Sequence, residues 1–266
     1  MELTATKETI TNKSAIKIKK RDGRLEDLDI DKIHFVVEEA CEGLAGVSSS
    51  QIEINANIQF YDGMTTKEVQ QILVRSANDL ISLEAPNYQY AAARLLSYDV
   101  RKEAHGQYEY MPLLKLILRN IKAGVYDRNI VEKYNKSEIK RLNTWIKRDR
   151  DLDFTYAGLR QVVDKYLVQD RSSGDLFETP QDMYMMIAAT LFADYPKKSR
   201  MNYVKKYYDA ISTFKINIPT PVMAGVRTPI RQFASCVLID SDDTLPSIFS
   251  SDMAIGLYVA RRAGIG

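Results

Sequence analysis

Residues 219–246, PTPVMAGVRTPIRQFASCVLIDSDDTLP, place a small hydroxyl (Thr220), an arginine-bearing turn, a second hydroxyl (Ser235) and a cysteine (Cys236) within one short span. Hydroxyls hydrogen-bond sugar and phosphate oxygens. A thiol delivers electrons by entering a disulfide. A second stretch with chemical potential is Lys19-Lys20-Arg21-Asp22-Gly23, followed by Glu26 and by Asp31-Lys32. It concentrates cations and backbone N–H groups, the equipment of a phosphate site. Each has a plainer reading: a basic hairpin is commonly a solvated edge, and a cysteine in ASCVLID is commonly a buried strand residue.

The elements that must position these groups follow from periodicity. Residues 15–28 alternate, with Ile16 and Ile18 against Lys17 and Lys19, and Asp22-Gly23 suits a tight turn, so a β-hairpin opens the fold. Asp31 precedes Ile33, Val36, Val37, Ala40, Cys41 and Leu44, one apolar helical stripe in which Cys41 is packing. Thr65 and Glu68 form a capping box ahead of Val69, Ile72, Leu73, Ala77, Leu80 and Ile81. A third helix begins near Pro86 and turns Ala91, Ala92, Leu95 and Leu96 inward. Helical spacing then governs 113–121, 159–167, the stretch after Thr179-Pro180, and 203–214, with a small hairpin across Ser172-Ser173-Gly174. Met183, Tyr184, Met185 and Met186 read as core. From Pro219 onward the texture becomes loop, strand (233–239) and helix (245–261), as in a βα unit.

Composition bounds the classes. The 266 residues carry 37 Lys+Arg against 35 Asp+Glu, a balance that excludes bulk electrostatic binding of nucleic acid. With no run of about 18 apolar residues and no signal-like N-terminus, no membrane is expected and the cytoplasm is the default. Cys41 and Cys236 lie far apart, His34 and His105 sit at no metal spacing, and neither a zinc site nor a disulfide between the two cysteines is expected.

The order of motifs adds to this. KKRDGRLEDLDIDKI, then IQFYDGMTTKEV, then YQYAAARLLSYDVRK resemble the ATP-cone that heads many ribonucleotide reductases. The resemblance implies that ATP or dATP, as allosteric effector, contacts Lys20, Arg21, the segment Glu26 to Lys32, Thr66 and Lys102, with Phe60 near the base. Where bacterial cones place histidines that separate dATP inhibition from ATP activation, this chain has Gln70 and Asp99, so resistance to dATP is expected.

TPVMAGVRTPIRQFASCVLID likewise resembles the first substrate-facing segment of the large subunit of class I ribonucleotide reductases. In that family Thr220, Ser235, Cys236 and the Gly264 region face the substrate, and Cys236 is the first of two cysteines that become a disulfide as the 2′-hydroxyl leaves. The resemblance further implies that Asp243, Thr244 and Leu245 hold a specificity effector at a subunit dimer interface; capping of the next helix by Asp243 is the plainer alternative.

The resemblance runs from Ile16 to Gly266. It implies a mixed α/β fold: a disordered leader over 1–14, an ATP-cone over 15–106, a helical domain over 107–218, and over 219–266 the first strand and helix of a ten-stranded α/β barrel. The thiyl-forming cysteine, the second redox cysteine and the re-reducing pair are outside these residues. Catalysis is therefore expected only with the C-terminal portion of the large subunit, a small radical-generating subunit that holds the radical cofactor, and a thioredoxin or glutaredoxin type reductant. No metal is expected in this chain. The alternative is a non-catalytic ATP-cone regulator, as in cone repressors, although their paired zinc cysteines are absent here.

Overall fold

A computed structural model of the protein describes residues 16–170, 172–231, 233–234, 236–260 and 263–266. The expected leader and Ser235 lie outside the described residues. The chain divides between Leu96 and Ser97 into two compact units.

The first unit opens on an antiparallel hairpin of β1 (Lys17–Lys19) and β2 (Leu25–Asp27), in which Ile18 opposes Glu26. Gly23, at φ +87°, closes the turn in a conformation that only glycine adopts without strain. Helix α1 (Ile30–Cys41) starts one residue before the expected Asp31, because the Asp29 carboxylate accepts from the Lys32 N–H. Its stripe buries Val37 and Ala40 fully and Cys41 in part. Helix α2 (Ser49–Asn57), capped by Ser48, escapes the sequence reading because its apolar content is low and only Ile52 and Ala56 are buried. Helix α3 (Thr66–Asn78) carries the expected capping box: the Glu68 N–H donates to Thr65 Oγ1, and the Thr65 N–H donates to the Glu68 carboxylate at 2.7 Å. Helix α4 (Tyr88–His105) buries Ala91, Ala92, Leu95 and Leu96 as expected and leads into the second unit.

The second unit is helical. Helices α5 (Leu113–Lys122), α6 (Asn129–Lys133) and α7 (Lys136–Trp145) precede a 3-10 turn at Arg148–Asp153. The helix expected over 159–167 is instead α8 (Tyr156–Gln161) followed by one π turn, Val162–Tyr166. The hairpin expected after it shrinks to an isolated bridge between Gln169 and Leu176. Thr179 caps α9 (Pro180–Leu191), whose Met183, Tyr184, Met185 and Met186 are all buried, and α10 (Lys197–Ser212) packs on it.

After α11 (Thr220–Gly225), the expected strand over 233–239 is only β3 (Cys236–Val237). It pairs in parallel with β4 (Gly264–Ile265) across α12 (Leu245–Ala260). A two-residue strand reflects its single neighbour: strand assignment needs ladder bonds, and only β4 supplies them among the described residues. The described residues thus form a helix-dominated mixed fold with two small sheets, and no barrel is formed by them.

Candidate functional site

In the first unit, the hairpin docks on the loop that starts α3. Lys19 N–H donates to Met64 O at 2.8 Å, Gly63 N–H donates to Lys17 O at 2.8 Å, and Lys17 N–H donates to the Asp62 carboxylate at 2.8 Å. These bonds, with the bridge between Lys19 and Thr65, set the end of β1 that leads into Lys20 beside the start of α3, whose first residue is Thr66. The charges there lie at the surface, Lys20 and Glu26 half-buried and the others exposed, and are mutually paired: Lys20 with Glu26 at 3.2 Å, Arg24 with Asp22 at 2.8 Å, and Lys32 with Asp29 at 2.9 Å. Hydrogen bonds to Lys32 hold Asp29 below the usual carboxylate range, and the same contact raises the Lys32 ammonium. Phe60 is half-buried, three residues after the end of α2. Arg21 is exposed in the turn. Lys102 stands in the last turn of α4, within the second unit, with its ammonium 5.9 Å from the Tyr108 ring centre. The arrangement gathers Lys20, Glu26 and Thr66 in one unit; Lys102 belongs to the other.

In the second unit, Cys236 is exposed on β3 and opposite Gly264 on β4. The pairing places the expected redox thiol beside the expected pocket-lining glycine. Thr220 opens α11, half-buried, with its Oγ1 3.4 Å from the Tyr166 hydroxyl. Asp243 and Thr244, ahead of α12, and Leu245, its first residue, are exposed. Capping there falls to Thr244 rather than Asp243: Ser247 N–H donates to Thr244 Oγ1 at 3.4 Å and Ile248 N–H to Thr244 O at 3.0 Å. Cys41, by contrast, has its thiol pushed up to about 11 by burial, as suits packing rather than redox work.

Residues 16–103 match the ATP cone domain, and residues 152–231 match the all-alpha domain of ribonucleotide reductase. Over 249 residues, 94% of its length, the chain is 49% identical to ribonucleoside-diphosphate reductase 1 subunit alpha of Escherichia coli (strain K12), covering 33% of that protein. It is 46% identical over 255 residues to the subunit alpha of Haemophilus influenzae, with 96% of this chain and 34% of that one covered. Against the subunit alpha of Enterobacteria phage T4 the figures are 43% over 253 residues, 94% and 33%. Along nearly its whole length the chain is thus similar to ribonucleoside-diphosphate reductase alpha subunits. It spans about one third of the length of the curated relatives it matches, and this is their N-terminal third.

Within this alpha-subunit region the sequence reading missed two buried charge clusters. In one, the Arg227 guanidinium is fully buried against the Glu178 carboxylate, donating through Nε at 2.9 Å, while Tyr126 O–H and the Val168 N–H (2.8 Å) also donate to Glu178. Burial opposes the charge on Arg227, yet Glu178 wins and raises it; burial pushes the Tyr126 hydroxyl far up. In the other, Asp182 accepts from Arg148 at 2.7 Å and from Thr179, and lies 3.2 Å from His105 Nε2. Burial opposes ionisation of Asp182, but Arg148 and His105 outweigh it and the carboxyl is held low. Nearby, burial pushes Asp151 up to about 7 despite its bond from Gln181 at 2.9 Å. Arginines and carboxylates far apart in sequence gave no periodic signal, so only the fold reveals these pairs.

In the cone, Gln70 is buried on α3 with its amide donating to Leu95 O at 2.8 Å, and Asp99 is buried on α4. Neither is a titrating imidazole at these positions. Among the described residues no cluster of His, Cys, Asp and Glu has metal-holding geometry. No helix of the described residues is long and apolar enough to cross a membrane.

Proposed function

We propose that the chain supplies the N-terminal part of the large subunit of a class I ribonucleoside-diphosphate reductase, working in the cytoplasm on ribonucleoside diphosphates for DNA synthesis. The observation that carries this reading is an exposed thiol, Cys236, in register with Gly264 and on the same unit as the half-buried Thr220 hydroxyl. Thr220, Ser235 and the Gly264 region bind the substrate. Cys236 gives one of the two electrons and protons, a second cysteine outside these 266 residues gives the other, the 2′-hydroxyl leaves as water, and the two sulfurs close a disulfide. The only other cysteine here, Cys41, belongs to the first unit and is packed.

The same reading assigns residues 15–106 to an ATP-cone, 107–218 to a helical reductase domain and 219–266 to the start of a ten-stranded barrel. Lys20, Arg21, Glu26, Lys32, Phe60, Thr66 and Lys102 hold ATP or dATP. The surface pairs Lys20–Glu26 and Lys32–Asp29 support this, because each contributes little where it stands and exchanges readily for a phosphate. Asp243, Thr244 and Leu245 hold the specificity effector at a large-subunit dimer interface. Partners are the rest of the large subunit, the small subunit with its radical cofactor, and a thioredoxin or glutaredoxin type reductant. Gln70 and Asp99 make the assembled enzyme resistant to dATP; strong dATP inhibition of turnover would refute that point.

Turnover of the assembled enzyme tests the assignment. Serine forms no disulfide, so Cys236→Ser is expected to abolish sustained deoxynucleotide production while Cys41→Ser largely spares it. Many normal turnovers by Cys236→Ser would return this residue to ordinary strand packing.

A further inference from the structure

We propose that Tyr166 is a further substrate-binding residue, its phenol hydroxyl acting beside Thr220 on the phosphate end of the bound nucleoside diphosphate; this rests on the reading of Thr220 given above. Four observations meet at this point. Tyr166 O–H lies 3.4 Å from Thr220 Oγ1, and both side chains are half-buried, so one edge of the pair stays open to a ligand. The Lys165 ammonium, exposed, stands 5.5 Å from the Tyr166 ring centre and adds a cation beside that ring. Neighbouring Arg160 and Asp164 neutralise each other at 2.8 Å, which leaves Lys165 as the charge that an anion meets. Two hydroxyl donors and an ammonium suit phosphate oxygens better than a sugar carbon undergoing reduction.

The backbone at Tyr166 is held by a device separate from its side chain. Tyr166 ends the π turn, closed by the Leu167 N–H donating to Val162 O at 3.0 Å, and such single wide turns recur at functional sites. The buried Arg227 guanidinium then donates to Tyr166 O at 2.9 Å and to Met223 O inside α11, while its other face binds Glu178. One buried cation therefore ties the backbone of Tyr166 to the short helix that begins with Thr220. Its desolvated ion pair fixes the spacing of the two hydroxyls without touching either. Arg227 is a positioning residue in this arrangement, and Tyr166 is the binding residue.

Tyr166→Phe separates the two roles, because it deletes only the hydroxyl and keeps the carbonyl that Arg227 holds. Steady-state kinetics of the assembled reductase, with Thr220→Ala alongside, are the measurement. The expected result is a KM for the nucleoside diphosphate raised about tenfold, the size of one charge-assisted hydrogen bond, with kcat within about twofold and the melting temperature of the chain unchanged. A fall in kcat at unchanged KM would overturn the phosphate assignment. An unchanged KM in Tyr166→Phe together with a raised KM in Thr220→Ala overturns this inference and leaves the substrate reading standing. Unchanged kinetics in both variants overturn the reading of Thr220 itself, and the inference with it.

Discussion

The two units use charge in opposite ways. In the first, Lys20, Arg24 and Lys32 pair with Glu26, Asp22 and Asp29 on the surface, where water screens each pair and it contributes little to stability. In the second, Arg227 and Glu178 have no exposed side-chain surface, and Asp182 is equally buried against Arg148. A surface pair gives up its partner for a phosphate at small cost. A buried pair cannot, since removing one member strands the other in a low dielectric. The contrast teaches where to look for ligand binding and where to look for scaffolding: the surface pairs of the first unit remain available, while the buried pairs of the second are consumed by the fold and act by placing Tyr166, α11 and α9.

Substitutions sharpen this contrast. Arg227→Met leaves the Glu178 carboxylate buried and unpaired, so urea unfolding is expected to show a loss of about 3–5 kcal/mol, the largest effect in the molecule. A loss below about 1 kcal/mol would mean that Glu178 takes up a proton or reaches water with ease. Asp151→Asn comes next. Asp151 is raised by burial to about 7 from 3.8, so the folded state keeps its proton while the unfolded state releases it. Stability from this group is full below about pH 4, falls as pH rises through about 7, and is then level. The amide removes that slope and is expected to stabilise the chain by about 1–3 kcal/mol at pH 8, with no gain at pH 4. A gain at both pH values would assign the effect to packing. Thr65→Ala deletes the α3 cap and is expected to cost about 1 kcal/mol. Lys20→Met, at the other extreme, is expected to shift stability by less than about 0.5 kcal/mol in the same titration.

Much of this was legible in the sequence, and the reasons are local. The Thr65–Glu68 capping box, the Asp22-Gly23 turn and the Thr179-Pro180 start each consist of residues whose partners lie within a few positions, so their chemistry is written in order. Helix α2 was hidden because its face toward the core is narrow, and the strand around Cys236 came out short because its length depends on neighbours that the local pattern does not contain. For the candidate site, Thr220, Cys236 and Gly264 were named from the resemblance, and the structure adds the register that sets Cys236 opposite Gly264. Tyr166 stayed invisible. It lies 54 residues from Thr220, in a π turn that interrupts an otherwise helical pattern.

The central claim is that the surface charges of the first unit form a nucleotide site, and calorimetric titration of the chain with ATP tests it most directly. The account predicts saturable binding that weakens at least about tenfold in a Lys20→Met, Lys32→Met double variant, with the melting temperature unchanged, since a charged hydrogen bond to phosphate is worth about 1.5–3 kcal/mol. Absence of saturable heat at millimolar ATP, or an affinity that the double substitution leaves untouched, would contradict it.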